Sequence, residues 1–62
     1  MNLNVGDSFI YLRCGVPTKR HVGILPSRYY VVMDEKYRII NVYSSIEAIQ
    51  QHYKIVEVIK GR

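Results

Sequence analysis

The chain has 62 residues, which is enough for one small domain over residues 1–62 and excludes a two-domain enzyme. Its share of 48% hydrophobic and 23% charged residues is typical of a folded globular protein and excludes a disordered tail. Nine Lys and Arg residues against five acids give a net charge of +4, which favours nucleic acid or an acidic protein surface as a partner.

Short β-branched and aromatic runs, separated by Gly, Pro, Asp and Ser, predict an antiparallel all-β domain. Five strands are predicted, over residues 8–14, 19–25, 29–34, 37–43 and 54–60. A turn is predicted at Gly15 to Thr18, because glycine tolerates a positive φ and proline fixes its own φ. A tight hairpin around Asp34 to Lys36 joins the third and fourth strands.

A short helix is predicted between the last two strands. Ser44 and Glu47 fit a capping box, in which each side chain accepts a hydrogen bond from the backbone amide of the other residue. Ile46, Ile49 and Tyr53 follow at helical spacing and form an apolar stripe. Five short strands with one helix before the last predict a small SH3-like five-stranded antiparallel barrel, and an OB-type barrel is the alternative.

Cysteine and histidine are too few for a disulfide-stapled or zinc-bound fold. The single Cys14 cannot form an internal disulfide, and with two histidines it falls short of a four-ligand zinc site. We recognise no signal peptide, no glycine-rich phosphate loop and no apolar run near the roughly 20 residues that cross a bilayer. We therefore expect a cytoplasmic protein without metal, cofactor or membrane partner.

Two short motifs resemble a known enzyme family. The dipeptide GD at residues 6–7 precedes the first predicted strand, and HVGI at residues 21–24 lies in the second. This order resembles the barrel half of cell-wall peptidases of the NlpC type, which are papain-like. The resemblance covers the chain from Gly6 onward and implies that His21 corresponds to the catalytic imidazole. The family's orienting residue is not identifiable here, and Asn41 and Asp34 are the nearest polar candidates.

The chain departs from that family at the nucleophile. The family carries its cysteine on a helix N-terminus upstream of the GD strand, whereas only five residues precede Gly6 and none is a cysteine. Cys14, in the first predicted strand, would have to approach His21 across a hairpin. The resemblance therefore implies a barrel that has lost its reactive half and kept a binding or structural role.

The first half of the chain carries most of the excess positive charge. No acid lies between Asp7 and Asp34, while that segment contains four bases, Arg13, Lys19, Arg20 and Arg28. If all four contacted phosphates, the logarithm of affinity would fall with the logarithm of salt concentration at a slope of about −3 to −4. Strand alternation places Arg20, Val22 and Ile24 on one face, with Lys19 and His21 on the other.

Tyrosine is the second compositional signal, since six of the seven aromatic residues are Tyr. Its ring stacks on bases and its hydroxyl reaches polar groups, so Tyr beside Arg suits single-stranded nucleic acid. Alternation also places Tyr11 and Arg13 on one strand face. The candidate binding residues are Arg13, Lys19, Arg20, Arg28, Tyr11, Tyr29, Tyr30 and His21.

These patterns predict a non-enzymatic interaction module that uses a basic, tyrosine-containing face to bind nucleic acid or an acidic protein surface. The alternative is an adaptor or inhibitor of the phage or mobile-element type that docks on a larger protein, as its β-rich edges suggest. A degenerate papain-like peptidase barrel is the third hypothesis. Val and Ile on both faces of residues 29–43 also favour a homodimer.

Overall fold

The computed structural model describes residues 3–61, which form five strands and one helix. The elements are β1 (Ser8–Arg13), β2 (Val16–Ile24), β3 (Tyr30–Met33), β4 (Ile39–Tyr43), α1 (Ile46–His52) and β5 (Ile55–Ile59). All paired strands are antiparallel, in the order β4-β3-β2-β1-β5. The all-β class with one short helix is confirmed, and the SH3-like form of the barrel stays a prediction.

Most of the buried hydrophobic residues lie on one face of the sheet, called here the core face. Its buried cluster consists of Leu3, Phe9, Val22, Val32, Ile49 and Tyr53. Tyr43 of β4 and Val58 of β5 both pack against this cluster, although they lie on opposite edge strands. A flat five-stranded sheet would hold its edges about 19 Å apart. The sheet therefore curls around the core, and its other face is called the outer face.

The first turn is shorter than predicted. Arg13 pairs with Val16, so only Cys14 and Gly15 connect β1 to β2, and the turn prediction over residues 15–18 was wrong. Cys14 and Gly15 have φ angles of 51° and 80°. Two successive positive φ angles define the type I′ turn, whose twist matches that of a two-stranded hairpin.

The first half of β2 lacks a neighbour on its second side. β3 pairs only with His21–Ile24, so residues 16–20 pair with β1 alone. Pro17 is tolerated there because a proline has no N–H to offer a neighbouring strand. An open space is left beside the β1–β2 hairpin.

The predicted hairpin between β3 and β4 is confirmed, and its turn extends to Arg38. Asp34 organises this turn, because its Oδ1 accepts from the backbone N–H groups of Lys36 at 2.8 Å and Arg38 at 3.0 Å. Tyr37 has a φ of 61°. A non-glycine residue in this left-handed region is strained by roughly 1–2 kcal/mol.

The helix cap lies one residue beyond its predicted position. Ser45 is the N-cap, and its hydroxyl accepts from the Ala48 backbone N–H at 3.1 Å. The residue three positions after this cap is alanine, so the predicted capping box of Ser44 and Glu47 does not form. Glu47 instead lies in the first turn, where its charge suits the helix dipole.

Replacing Ser45 with alanine should lower the free energy of unfolding by about 1 kcal/mol, because the Ala48 N–H loses its acceptor. The melting temperature should fall by roughly 4–8 °C. Thermal unfolding followed by circular dichroism measures this shift. Ser44→Ala is the matched control and should melt like the unmodified chain, whereas equal losses in both variants would contradict the cap assignment.

Asp7 of the GD motif forms hydrogen bonds with residues near both ends of the chain. It is only 5% exposed. Its Oδ2 accepts from the Asn4 backbone N–H at 2.9 Å and from Lys60 Nζ at 2.7 Å, while its Oδ1 accepts from the Gly61 N–H at 2.8 Å. Gly6 has a φ of 93°, a conformation that favours glycine. Both letters of the motif thus have structural roles in this fold.

Stability should therefore decrease in acid. The hydrogen bonds from Lys60 and Gly61 lower the pKa of Asp7 below its ordinary 3.8. The unfolded chain then binds a proton at Asp7 more readily than the folded chain does. The stability that the Asp7 carboxylate contributes is therefore complete above pH 3.8 and disappears as the pH falls through the lower pKa of the folded state. Urea unfolding at a series of pH values should show a decline that is shallower in Asp7→Asn. An identical decline in both proteins would contradict this role.

Candidate ligand-binding cleft

A cleft of about 320 Å³ opens on the core face, beside the half of β2 that β3 does not reach. The β1–β2 hairpin forms one wall, and β4 with the end of α1 forms the other. The residues that line it are Tyr11, Arg13, Arg20, Ile40, Asn41, His52 and Tyr53. No acidic residue is among them.

Strand alternation brings three of these side chains together. Tyr11 and Arg13 are two residues apart on β1 and therefore share a face. Arg20 is paired with the buried Phe9, so it also lies on the core face. The Arg20 guanidinium carbon lies 5.5 Å from the centre of the Tyr11 ring, which is within the range of a cation–π contact.

Within residues 3–61, neither arginine of the cleft forms an ion pair with a carboxylate. The ion pairs among residues 3–61 lie elsewhere, in the β3–β4 turn and between the chain ends. Arg20 donates from Nη1 to the Lys19 carbonyl at 3.1 Å, but its buried Nε has no hydrogen-bond partner among the described residues. Two guanidinium groups with unused donors make the cleft suitable for an anion.

Aromatic rings form much of the remaining cleft surface. The Tyr11 and Tyr53 rings meet edge to face with their centres 4.7 Å apart, and the centre of the His52 ring lies 5.0 Å from that of Tyr53. The buried hydroxyl of Tyr43, beside His52, has no hydrogen-bond partner within the described part of the chain. Burial, followed by the nearby Tyr53 side chain, raises the pKa of Tyr43 above its ordinary 10.0, so this hydroxyl stays protonated at neutral pH.

The predicted basic residues of β2 are divided between two faces. Lys19 and His21 flank Arg20 in the strand and therefore point to the outer face. On that face the His21 Nδ1 lies 2.7 Å from the Ser8 hydroxyl, and the His21 ring stacks on Tyr37 with the ring centres 4.2 Å apart. Lys19 and His21 do not contribute to the cleft.

The remaining predicted residues lie at the far end of β2. Arg28 and Tyr29 follow Ile24 in the turn to β3, about 26 Å along the strand from the Cys14–Gly15 turn. Tyr30 lies on the core face but packs against the hydrophobic cluster. The expectation of a single basic face is therefore corrected: Tyr11, Arg13 and Arg20 come together, and the other predicted residues do not.

The groups implied by the peptidase resemblance are also apart. Cys14 is exposed at the hairpin tip, whereas His21 lies five residues beyond the start of β2, about 16 Å away along the strand. Asn41 lines the cleft, and Asp34 holds the β3–β4 turn. In this structure His21 therefore has neither a cysteine nor either proposed orienting residue as a hydrogen-bond partner.

Three polar or aromatic cleft residues were not among the predicted binding residues. Asn41 is the one neutral polar side chain in the apolar run Ile39–Tyr43, which is a usable sequence signal. His52 is an exposed residue at the end of α1, and Tyr53 belongs to the predicted apolar stripe. Their place in the cleft depends on how α1 returns over the sheet, which local sequence does not show.

Comparisons with protein families, curated proteins and solved structures give no match. No helix within residues 3–61 has the length and apolar character needed to cross a membrane. The same described segment contains no group of three His, Cys, Asp or Glu side chains placed to hold a metal ion. The function is therefore inferred from the chemistry of the cleft.

Proposed function

We propose that the chain is a non-enzymatic binding module whose cleft binds nucleic acid. The observation that carries this proposal is a concave site, lined by no acidic residue of the described segment, that contains two arginines, Arg13 and Arg20. Neither has a carboxylate partner among residues 3–61. Guanidinium groups donate paired hydrogen bonds to phosphate oxygens, and the net charge of +4 attracts a polyanion from a distance.

The lining favours nucleic acid over an acidic protein surface. A carboxylate and a phosphate both bind guanidinium, so the arginines alone do not separate the two partners. The rings of Tyr11 and His52 and the amide of Asn41 add stacking surfaces and hydrogen-bonding groups. Those groups match nucleotides, which present flat bases beside the phosphate.

Fluorescence anisotropy with a labelled single-stranded oligonucleotide tests this proposal. Two phosphate contacts predict a slope of about −1.4 to −1.8 when log affinity is plotted against log salt concentration, about half that expected for four contacts. Tighter binding of a glutamate-rich peptide at equal salt would favour an acidic protein partner instead. Absence of salt-dependent oligonucleotide binding would contradict the proposal.

A second candidate function is docking on a larger protein through β4. This edge strand exposes Ile39, Ile40 and Val42 by 54%, 43% and 51% and contains no charged residue. An uncharged edge can accept an additional strand from a partner. Val42→Lys should then abolish retention of a specific protein from a nuclease-treated lysate, and unchanged retention would contradict docking at β4.

A further inference from the structure

The lining of the cleft also indicates which form of nucleic acid it selects. We infer that it holds one unpaired base next to the bound phosphate, so that the chain prefers single strands to duplexes. This inference rests on the proposed function and deepens it. It comes from cleft groups that phosphate binding does not use, namely the flat faces of rings and the acceptor oxygen of an amide.

Flat surfaces are available on both walls of the cleft. On the hairpin wall the Arg20 guanidinium lies over the half-buried Tyr11 ring, 5.5 Å from its centre. On the opposite wall the His52 side chain is exposed and supported by the buried Tyr53 ring, 5.0 Å away. Unpaired bases stack on histidine and tyrosine rings and on guanidinium planes. A base between these walls would use groups from both.

Asn41 supplies the hydrogen bonding that a base requires. It is paired with Val32 of β3, which places it on the core face, and its side chain is exposed at the cleft. Its amide has both donors and an acceptor, and base edges carry both as well. Phosphate oxygens only accept at neutral pH, so the amide oxygen of Asn41 offers them nothing.

The shape of the site excludes paired bases. The volume of about 320 Å³ is at the lower end of the range for small-ligand sites, roughly 300–1,000 Å³, which suits one nucleotide. In a duplex each base is stacked and paired inside the helix, so it must be flipped out before it enters a concave site. An unpaired strand avoids that cost, and this difference is the basis of the expected selectivity.

Three labelled probes of about 12 nucleotides test the inference: oligo(dT), an abasic strand with the same number of phosphates, and a duplex. Oligo(dT) should bind at least about tenfold more tightly than the abasic strand, because stacking adds to the phosphate contacts. Asn41→Ala and His52→Ala, both at exposed positions, should reduce this ratio severalfold, because each removes a contact to the base. Asn4→Ala is the matched control, since Asn4 is exposed outside the cleft and bonds Asp7 through its backbone.

The outcomes separate this inference from the proposed function. Equal salt-dependent affinity for oligo(dT) and the abasic strand would overturn the base site and leave phosphate binding supported. A duplex that binds as tightly as oligo(dT) would overturn the selectivity. Failure of all three probes to bind would remove the proposed function, and the base site with it.

Discussion

Phe9→Ala is expected to remove a large part of the free energy of unfolding of the chain. Phe9 is fully buried, and its ring lies 5.1 Å from that of Tyr53 and 6.1 Å from that of Tyr11. Truncating a buried phenylalanine costs about 3–5 kcal/mol, through lost burial and the cavity that remains. A domain of this length has a total stability of only roughly 3–9 kcal/mol. Urea unfolding followed by circular dichroism should show the loss.

The neighbouring residue on β1 provides the control for that experiment. Ile10 points to the outer face and is half-buried. Ile10→Ala should therefore cost less, about 1–2 kcal/mol, and should keep a cooperative transition. If Ile10→Ala destabilised the chain as strongly as Phe9→Ala, the cluster on the core face would not be the main source of stability.

The class of fold was predictable because β-branched residues, aromatics and turn residues have local effects. The hairpin centred on Asp34 to Lys36 was predictable for the same reason. The β1–β2 turn was placed too late, since Cys-Gly is a weaker hairpin signal than Asn-Gly or Asp-Gly and Pro17 is an obvious turn residue. Only the tertiary structure shows that β3 does not extend as far as Pro17, which therefore pairs with β1 alone.

Only one wall of the candidate site, the one formed by the β1–β2 hairpin, was predictable from the sequence. Alternation along β1 and β2 placed Tyr11 with Arg13 and separated Arg20 from Lys19, and both relations hold in the structure. The opposite wall depends on contacts between elements distant in sequence. The curl of the sheet brings Asn41 toward the hairpin, and charge counting along the chain cannot show such a contact.

Replacing Arg13 and Arg20 together with glutamine is expected to weaken oligonucleotide binding about a hundredfold at low salt. Each charge-assisted hydrogen bond contributes roughly 1.5–3 kcal/mol, so each arginine accounts for about tenfold or more. The slope of log affinity against log salt concentration should also approach zero, because counterions are released where these two arginines contact phosphates. Anisotropy titrations of both proteins at several salt concentrations give affinity and slope together.

The matched control removes the same charge elsewhere. Lys19→Gln with Arg28→Gln also lowers the net charge from +4 to +2, but one side chain lies on the outer face and the other in the β2–β3 turn. If the cleft binds the oligonucleotide, this double variant should keep the slope of log affinity against log salt concentration. It should lose only the affinity that comes from long-range electrostatic attraction. Equal losses in the two double variants would instead show that overall charge, without a localised site, accounts for binding.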